Sequence, residues 1–156
     1  MKTNQLGIKL LHDFENCVLT AYLCPASVWT IGWGNTYYAD GSKVKQGDKI
    51  TQQMADRLFD VILKRFELDV ISLLKVKVNE NQFSALVCFA YNVGSDIDAD
   101  TIAEGLGDST LLKKVNKNPN DPTIAAEFAK WKNAGGKPSN GLIRRRKAES
   151  DLYFKK

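Results

Sequence analysis

Glu15 closes a stretch in which Leu6, Leu10, Leu11 and Phe14 recur at helical spacing, with Thr3 or Asn4 available as the cap. A carboxyl at the C-terminal end of a helix meets unpaired carbonyl groups, and burial against Phe14 or Trp33 would take water away from it. Both effects favour the protonated form, the form that a general acid must hold before it reacts. Splitting a glycosidic bond needs such an acid on one side and a positioned or activated water on the other. A short sheet directly after the helix is where the second group would be found. Taken alone, a glutamate at a helix end is most often a solvated or salt-bridged surface residue.

Other residues suggest other chemistries, and most have a plainer reading. Cys24 as a nucleophile would need a base, and His12, the one histidine of the chain, has no supporting acid motif. One histidine is also too few for most zinc sites. The three cysteines, Cys17, Cys24 and Cys88, lack metal spacing and read as reduced thiols, Cys17 and Cys88 as small buried apolar residues. A bridge between Cys17 and Cys24 is within reach in sequence and would block any site at Cys24. Gly32-x-Gly34 lacks the third glycine of a dinucleotide site and is a turn signal. Arg144-Arg145-Arg146-Lys147 fans out around a helix, so it reads as solvated charge with one inward arginine rather than as a nucleic-acid patch. Trp131 and Tyr91 read as core, whereas Tyr22 and Trp33 flank the Glu15 segment and are as well placed to stack on a sugar as to fill a core.

The elements that must position these residues follow from periodicity. After the first helix, Val28, Thr30, Ile31, Trp33, Tyr37 and Tyr38 favour strand between Ala21 and about Asp48, punctuated by Gly32, Gly34, Asp40-Gly41 and Gly47. Two or three short strands are expected there, too small a sheet to stand alone. Thr51 then caps a helix running to about Leu74, with Met54, Leu58, Phe59, Ile62, Phe66, Val70 and Leu74 as its buried stripe. Further helices are expected at about Glu80–Asn92, closed by Gly94, and at about Ser109–Asn116. Another should open at Asp121-Pro122 and end before Gly135-Gly136, and the last covers about Gly141–Phe154. Phe83–Tyr91 is apolar almost all round and should be the central helix. The class is α+β: a sheet-bearing part over 15–50, a connecting helix over 51–74, and a helical part over 75–156 that includes the N-terminal helix.

The whole is one domain of 156 residues, 44% hydrophobic and 26% charged, an ordinary globular composition. No apolar run approaches the roughly 20 residues of a bilayer span, and no signal-peptide core follows Met1, so no export device and no stable membrane insertion are expected. The net charge of +4 favours anionic partners without choosing among them.

Eight residues separate Glu15 from Cys24 and five separate Cys24 from Thr30. That spacing, with Ala21-Tyr22, Cys24-Pro25-Ala26 and Val28-Trp29-Thr30-Ile31-Gly32-Trp33-Gly34, resembles the signature of the phage-type lysozymes, or endolysins. Gln82–Gly94, Ser109–Leu112, Gly135-Gly136-Lys137 and Gly141–Glu149 are similar to later motifs of that family in the same order, so the resemblance spans nearly the whole chain. It implies a two-lobed lysozyme-like α+β fold and hydrolysis of the β-1,4 bond between N-acetylmuramic acid and N-acetylglucosamine in bacterial peptidoglycan, ending in host lysis. It makes Glu15 the general acid, has Cys24 and Thr30 hold the attacking water, and places Arg145 on the substrate side, pairing with Glu15, with Arg144 as its substitute. Tyr22 and Trp33, which flank the same segment, are the further candidate substrate contacts. A monomer without cofactor, metal or nucleic-acid partner is expected, kept in the host cytoplasm until release to the periplasm and wall. Cys24 stands where many members carry Asp, and Asn35 where His is usual. A lytic transglycosylase acting on the same bond, and a wall- or nucleic-acid-binding module that has lost catalysis, are the competing readings.

Overall fold

The computed structural model describes residues 1–98 and 100–156. They form two compact units, one made of Leu11–Arg65 and the other of Met1–Leu10 with Phe66–Lys156. The division runs through two helices, α1 (Gln5–Glu15) and α2 (Gln52–Leu73).

In the first unit β1 (Val18–Leu23) pairs antiparallel with β2 (Trp29–Gly32), Tyr22 opposite Thr30 and Leu23 opposite Trp29. The sheet therefore begins earlier than the expected Ala21. Its third member is a bridge between Thr20 and Lys49, supported by Ala21 N–H to the Asp48 carbonyl at 2.9 Å and Ile50 N–H to the Leu19 carbonyl at 2.9 Å. The core is small: Leu11, Ile31, Val44, Ala55, Leu58, Phe59 and Leu63. Thr51 caps α2 as expected, its hydroxyl accepting from Met54 N–H at 3.1 Å. The buried stripe of α2 keeps Leu58, Phe59 and Val70 as expected and differs at its N-terminal end. Met54 is exposed, and Ala55 and Leu63 take the inward positions beside Leu58, Phe59 and Val70. One residue of shift turns a helix by about 100°, so a stripe through Ala55 leaves Met54 outside.

The second unit is helical. α3 (Glu80–Val93) is buried continuously from Gln82 to Tyr91, as its sequence demands. Its start is a reciprocal capping box between Asn79 and Gln82, and Gly94 at φ 101° ends it. α4 (Thr110–Lys117) and α6 (Asn140–Tyr153) open on Ser109 and Ser139, each hydroxyl accepting an N–H of the first turn. The helix expected from Asp121-Pro122 is shorter. Asp121 spends its carboxylate on the N–H and hydroxyl of Thr123, and regular helix covers only α5 (Ile124–Ala129). Beyond α5 lies a small hairpin, β3 (Asn133–Ala134) with β4 (Lys137–Pro138), turned by Gly135 and Gly136 at φ 59° and 78°. Two successive positive φ angles are what such a turn requires, so this glycine pair joins strands rather than merely stopping a helix.

The basic run on α6 turns two arginines inward where one was expected. Arg145 and Arg146 are both buried, and both grip Glu149, which is fully buried. Arg145 Nε lies 3.0 Å from Glu149 Oε1 and Arg146 Nε 3.0 Å from Oε2. Arg145 also donates to the Cys88 carbonyl at 3.2 Å, and Arg146 donates to Asn92 at 2.6 Å and lies over the Phe89 ring. Only Arg144 and Lys147 face water. Glu149, three and four residues on, is the partner that draws both arginines inward.

Candidate active site

Glu15 is the last residue of α1 and is half-buried. The helix stops there because Asn16 takes the left-handed conformation, φ 53°, and returns its N–H to the His12 carbonyl at 3.2 Å. Asparagine is among the few residues that enter this region cheaply. The chain then enters β1 at once.

At the far end of β1 the backbone closes a tight loop. Cys24 N–H bonds to the Val28 carbonyl at 3.0 Å and Ser27 N–H to the Cys24 carbonyl at 2.8 Å, with Ser27 at φ 58°. The alternation of a strand puts Tyr22 and Cys24 on one face, and the register places Thr30 directly opposite Tyr22 on that face. Thr30 is buried and its hydroxyl donates to the Val28 carbonyl at 2.9 Å. Burial pushes the Cys24 thiol up, but the polar groups around it, the backbone of Val28 and Ala26 and the Thr30 side chain, outweigh it and hold the thiol below its ordinary range. The sulfur is thus more often a thiolate than a free cysteine would be, which moves it toward the charged group it stands in for. Burial, and then the negative charges of Glu15 and Cys24, push the Tyr22 phenol up, so it remains a neutral donor. Tyr22 lies within electrostatic reach of both.

The turn after β2 approaches Glu15 from another side. Ile31 and Asn35 exchange both backbone hydrogen bonds, at 2.8 and 2.9 Å, and between them Gly32 and Gly34 stand at φ 63° and 79°. A Cβ on Gly34 would collide with the Glu15 carboxylate. Gly34 is therefore needed for close approach as well as for its backbone angle. In sequence it reads as punctuation, and the glycine of Trp33-Gly34 is the only signal that could have pointed to this contact.

Of the six residues expected at the site, Glu15, Tyr22, Cys24, Thr30 and Trp33 belong to the first unit, and Arg145 to the second. Glu15, Tyr22, Cys24 and Thr30 come together around β1 and β2. Trp33 stacks on His12 at 4.0 Å and 17° between planes, and its Nε1–H donates to Asp56 at 2.9 Å. The face turned to His12 is closed to a sugar. His12 makes no hydrogen bond to Cys24 among the described residues, and its Nε2 is buried without a partner, so the nucleophile–base pair considered for a cysteine hydrolase does not form. Trp131 is half-buried rather than core. It packs edge-on against Phe89 at 5.4 Å and lines a cavity of about 430 Å³ with Asn92, Asn133 and Leu142.

The cysteines are free. Cys88 is buried, whereas Cys17 is half-buried and accepts from Gln52 at 3.4 Å. A Cys17–Cys24 bridge is excluded while β1 is formed. Seven steps of extended chain at about 3.3 Å each put their Cα atoms on the order of 20 Å apart, against roughly 4.4–6.8 Å in a disulfide. Asp96, Asp98 and Asp108 bring carboxylate oxygens within 4.8 Å of one another, but Asp96 is already bonded to the N–H groups of Glu104, Gly105 and Asp108. Among the described residues no helix is long and apolar enough to cross a membrane.

Residues 12–149 match the family described as phage lysozyme. The endolysin of Bacillus phage B103 is 38% identical over 156 residues, 99% of this chain but 54% of that protein. The endolysin of Salmonella phage P22 is 33% identical over 154 residues, 99% of both. The chain spans between about half and three fifths of the length of the Bacillus and Lactococcus phage endolysins it matches. Among solved structures, the endolysin of Escherichia coli O157:H7 phage FAHEc1 superposes with a TM-score of 0.82 at 34% identity, covering 99% of this chain and 94% of that one. The muramidase domain of SpmX from Asticaccaulis excentricus gives 0.80 at 28% identity, covering 99% of both.

Proposed function

The chain belongs to the phage lysozyme family, and on that premise we propose that it is an endolysin hydrolysing the β-1,4 bond between N-acetylmuramic acid and N-acetylglucosamine in peptidoglycan. The observation that carries this reading is the placing of Thr30 opposite Tyr22 across β1 and β2, beside the loop closed at Cys24, with Tyr22 within electrostatic reach of both Glu15 and Cys24. In the proposed reaction Glu15 gives its proton to the glycosidic oxygen as the C1–O bond breaks. A water held by Cys24 and Thr30 attacks C1, and its proton passes to the Cys24 thiolate or to solvent. Tyr22 supplies a neutral phenol donor to the sugar. Arg145 is assigned to the substrate side by its place in the Gly141-Leu142-x-x-Arg145-Arg146 pattern. The enzyme acts as a monomer, without cofactor, and waits in the host cytoplasm for release to the wall.

A lytic transglycosylase would need the acid but no held water, so the Cys24–Thr30 pair favours hydrolysis. Glu15→Gln should fold normally and lose lysis of chloroform-treated Gram-negative cells, since removing a general acid costs roughly a hundred- to ten-thousandfold. Mass spectrometry of the wild-type digest should find new reducing ends. Lysis by folded Glu15→Gln would refute the acid assignment, and anhydro-muramic products, lighter by one water, would move the enzyme to the transglycosylases.

A further inference from the structure

We propose that His12 is a positioning residue: its ring, stacked on Trp33, locks the glycine turn of Gly34 against Glu15. This rests on the assignment of Glu15 as the acid, and every residue it uses lies in the first unit.

His12 stands three positions before Glu15 on α1, one turn away on the same side of the helix. Its ring lies nearly parallel to the Trp33 indole, centroids 4.0 Å apart. Phe59 of α2 packs against both, tilted at 4.7 Å from His12 and edge-on at 6.1 Å from Trp33. Asp56, also of α2, accepts the Trp33 Nε1–H at 2.9 Å and is itself held by Gln52 at 2.9 Å. Three elements are thus tied at one three-ring cluster: the end of α1, the turn after β2, and the first turns of α2.

The cluster matters to the reaction because of what adjoins it. Trp33 precedes Gly34, which packs so closely on the Glu15 carboxylate that no side chain fits between them. The exchange of hydrogen bonds between Ile31 and Asn35 makes the turn a closed unit. Slack at Trp33 would therefore reach Gly34 through a single peptide plane, and the carboxylate would lose the wall that holds its rotamer. The way His12 is held narrows what it contributes. Its Nε2 is buried without a hydrogen-bond partner, so that nitrogen adds no bond, while Trp33 and Phe59 hold the ring by its faces. Aromatic stacking is the property at work, and a ring without nitrogen should serve as well.

Three proteins separate these possibilities: wild type, His12→Phe, which keeps a flat ring, and His12→Leu, which keeps bulk but no ring. Reducing-end release from soluble glycan strands, assayed well below each melting temperature, gives kcat and KM separately. Amide hydrogen exchange at Gly34 reports the turn without any catalysis. His12→Leu should lower kcat roughly ten- to a hundredfold with KM nearly unchanged, and should speed exchange at Gly34. His12→Phe should keep kcat and Gly34 protection close to wild type. Wild-type kcat and Gly34 exchange in His12→Leu would overturn the proposal, as would a His12→Phe variant as impaired as His12→Leu. Should wild type itself release no reducing ends, the hydrolase reading fails, and Gly34 exchange then decides the clamp alone: faster exchange in His12→Leu supports it and unchanged exchange refutes it.

Discussion

The unit built on α3 and α6 and the unit that carries Glu15 handle polar groups in opposite ways. In the helical unit, polar side chains are taken deep into the core and paired there. Glu149 sits at zero exposure between two buried guanidiniums, and Gln82 closes a capping box while donating to the Pro119 carbonyl at 3.0 Å. The unit with the sheet keeps a smaller core and uses its polar groups near the surface, at Cys24, Tyr22 and Glu15. Its chain is bent by residues in the left-handed region, of which Asn16 and Gly34 adjoin Glu15 and Ser27 lies in the loop after Cys24, while Gly41 and Gly47 turn the chain elsewhere. A buried ion pair held from several sides gives a rigid scaffold, whereas chemistry needs groups that a substrate can still reach. The difference is between residues arranged for stability and residues arranged for reaction.

That contrast makes demands in order of size. Glu149→Ala should be the costliest single change, destabilising by about 3–5 kcal/mol, because it strands two buried guanidiniums. Urea unfolding measures it, and a loss near the roughly 1 kcal/mol of a surface pair would mean the network is not buried as described. Cys24→Ala should do the reverse, leaving stability within about 0.5 kcal/mol while slowing hydrolysis roughly ten- to a thousandfold. Cys24→Asp should keep or raise the rate, since a carboxylate restores fully the charge that the lowered thiol supplies in part. A sharp fall in Cys24→Asp would point instead to a covalent role for the sulfur.

The smallest effect lies at Tyr38. Its hydroxyl donates to Asp48 at 2.7 Å, and burial together with that carboxylate pushes the phenol up to about 12. A phenol raised above its unfolded value of 10.0 holds its proton more tightly when folded, so its contribution is complete below pH 10 and fades as pH climbs toward about 12. Tyr38→Phe should cost on the order of 1 kcal/mol at neutral pH and flatten that alkaline decline. Stability curves of the two proteins that stay parallel from neutral pH through the alkaline range would contradict it.

Much of the fold was legible because local patterns and tertiary demands agree. The unbroken apolar run Phe83–Tyr91 could only be a central helix, and Thr51, Ser109 and Gly94 mark boundaries where they were expected. The errors cluster where two local signals compete. Gly135-Gly136 ends a helix or turns a hairpin equally well, and Asp121 before a proline caps a helix or merely turns the chain. The resemblance to the family, more than any single residue, singled out Glu15, Cys24 and Thr30, since a glutamate at a helix end is ordinary.

The chain by itself determined the α+β class, which follows from periodicity, and the family, whose ordered motifs also nominate the residues proposed as catalytic. Tertiary structure decided what each polar group answers to. That both Arg145 and Arg146 turn inward on Glu149, that the polar groups of the loop around Cys24 hold its thiol low, and that His12 spends its ring on Trp33 all depend on partners brought close by folding. Spacing can say which side chains share a face, but the state of a charge or a ring is set by distances across the fold.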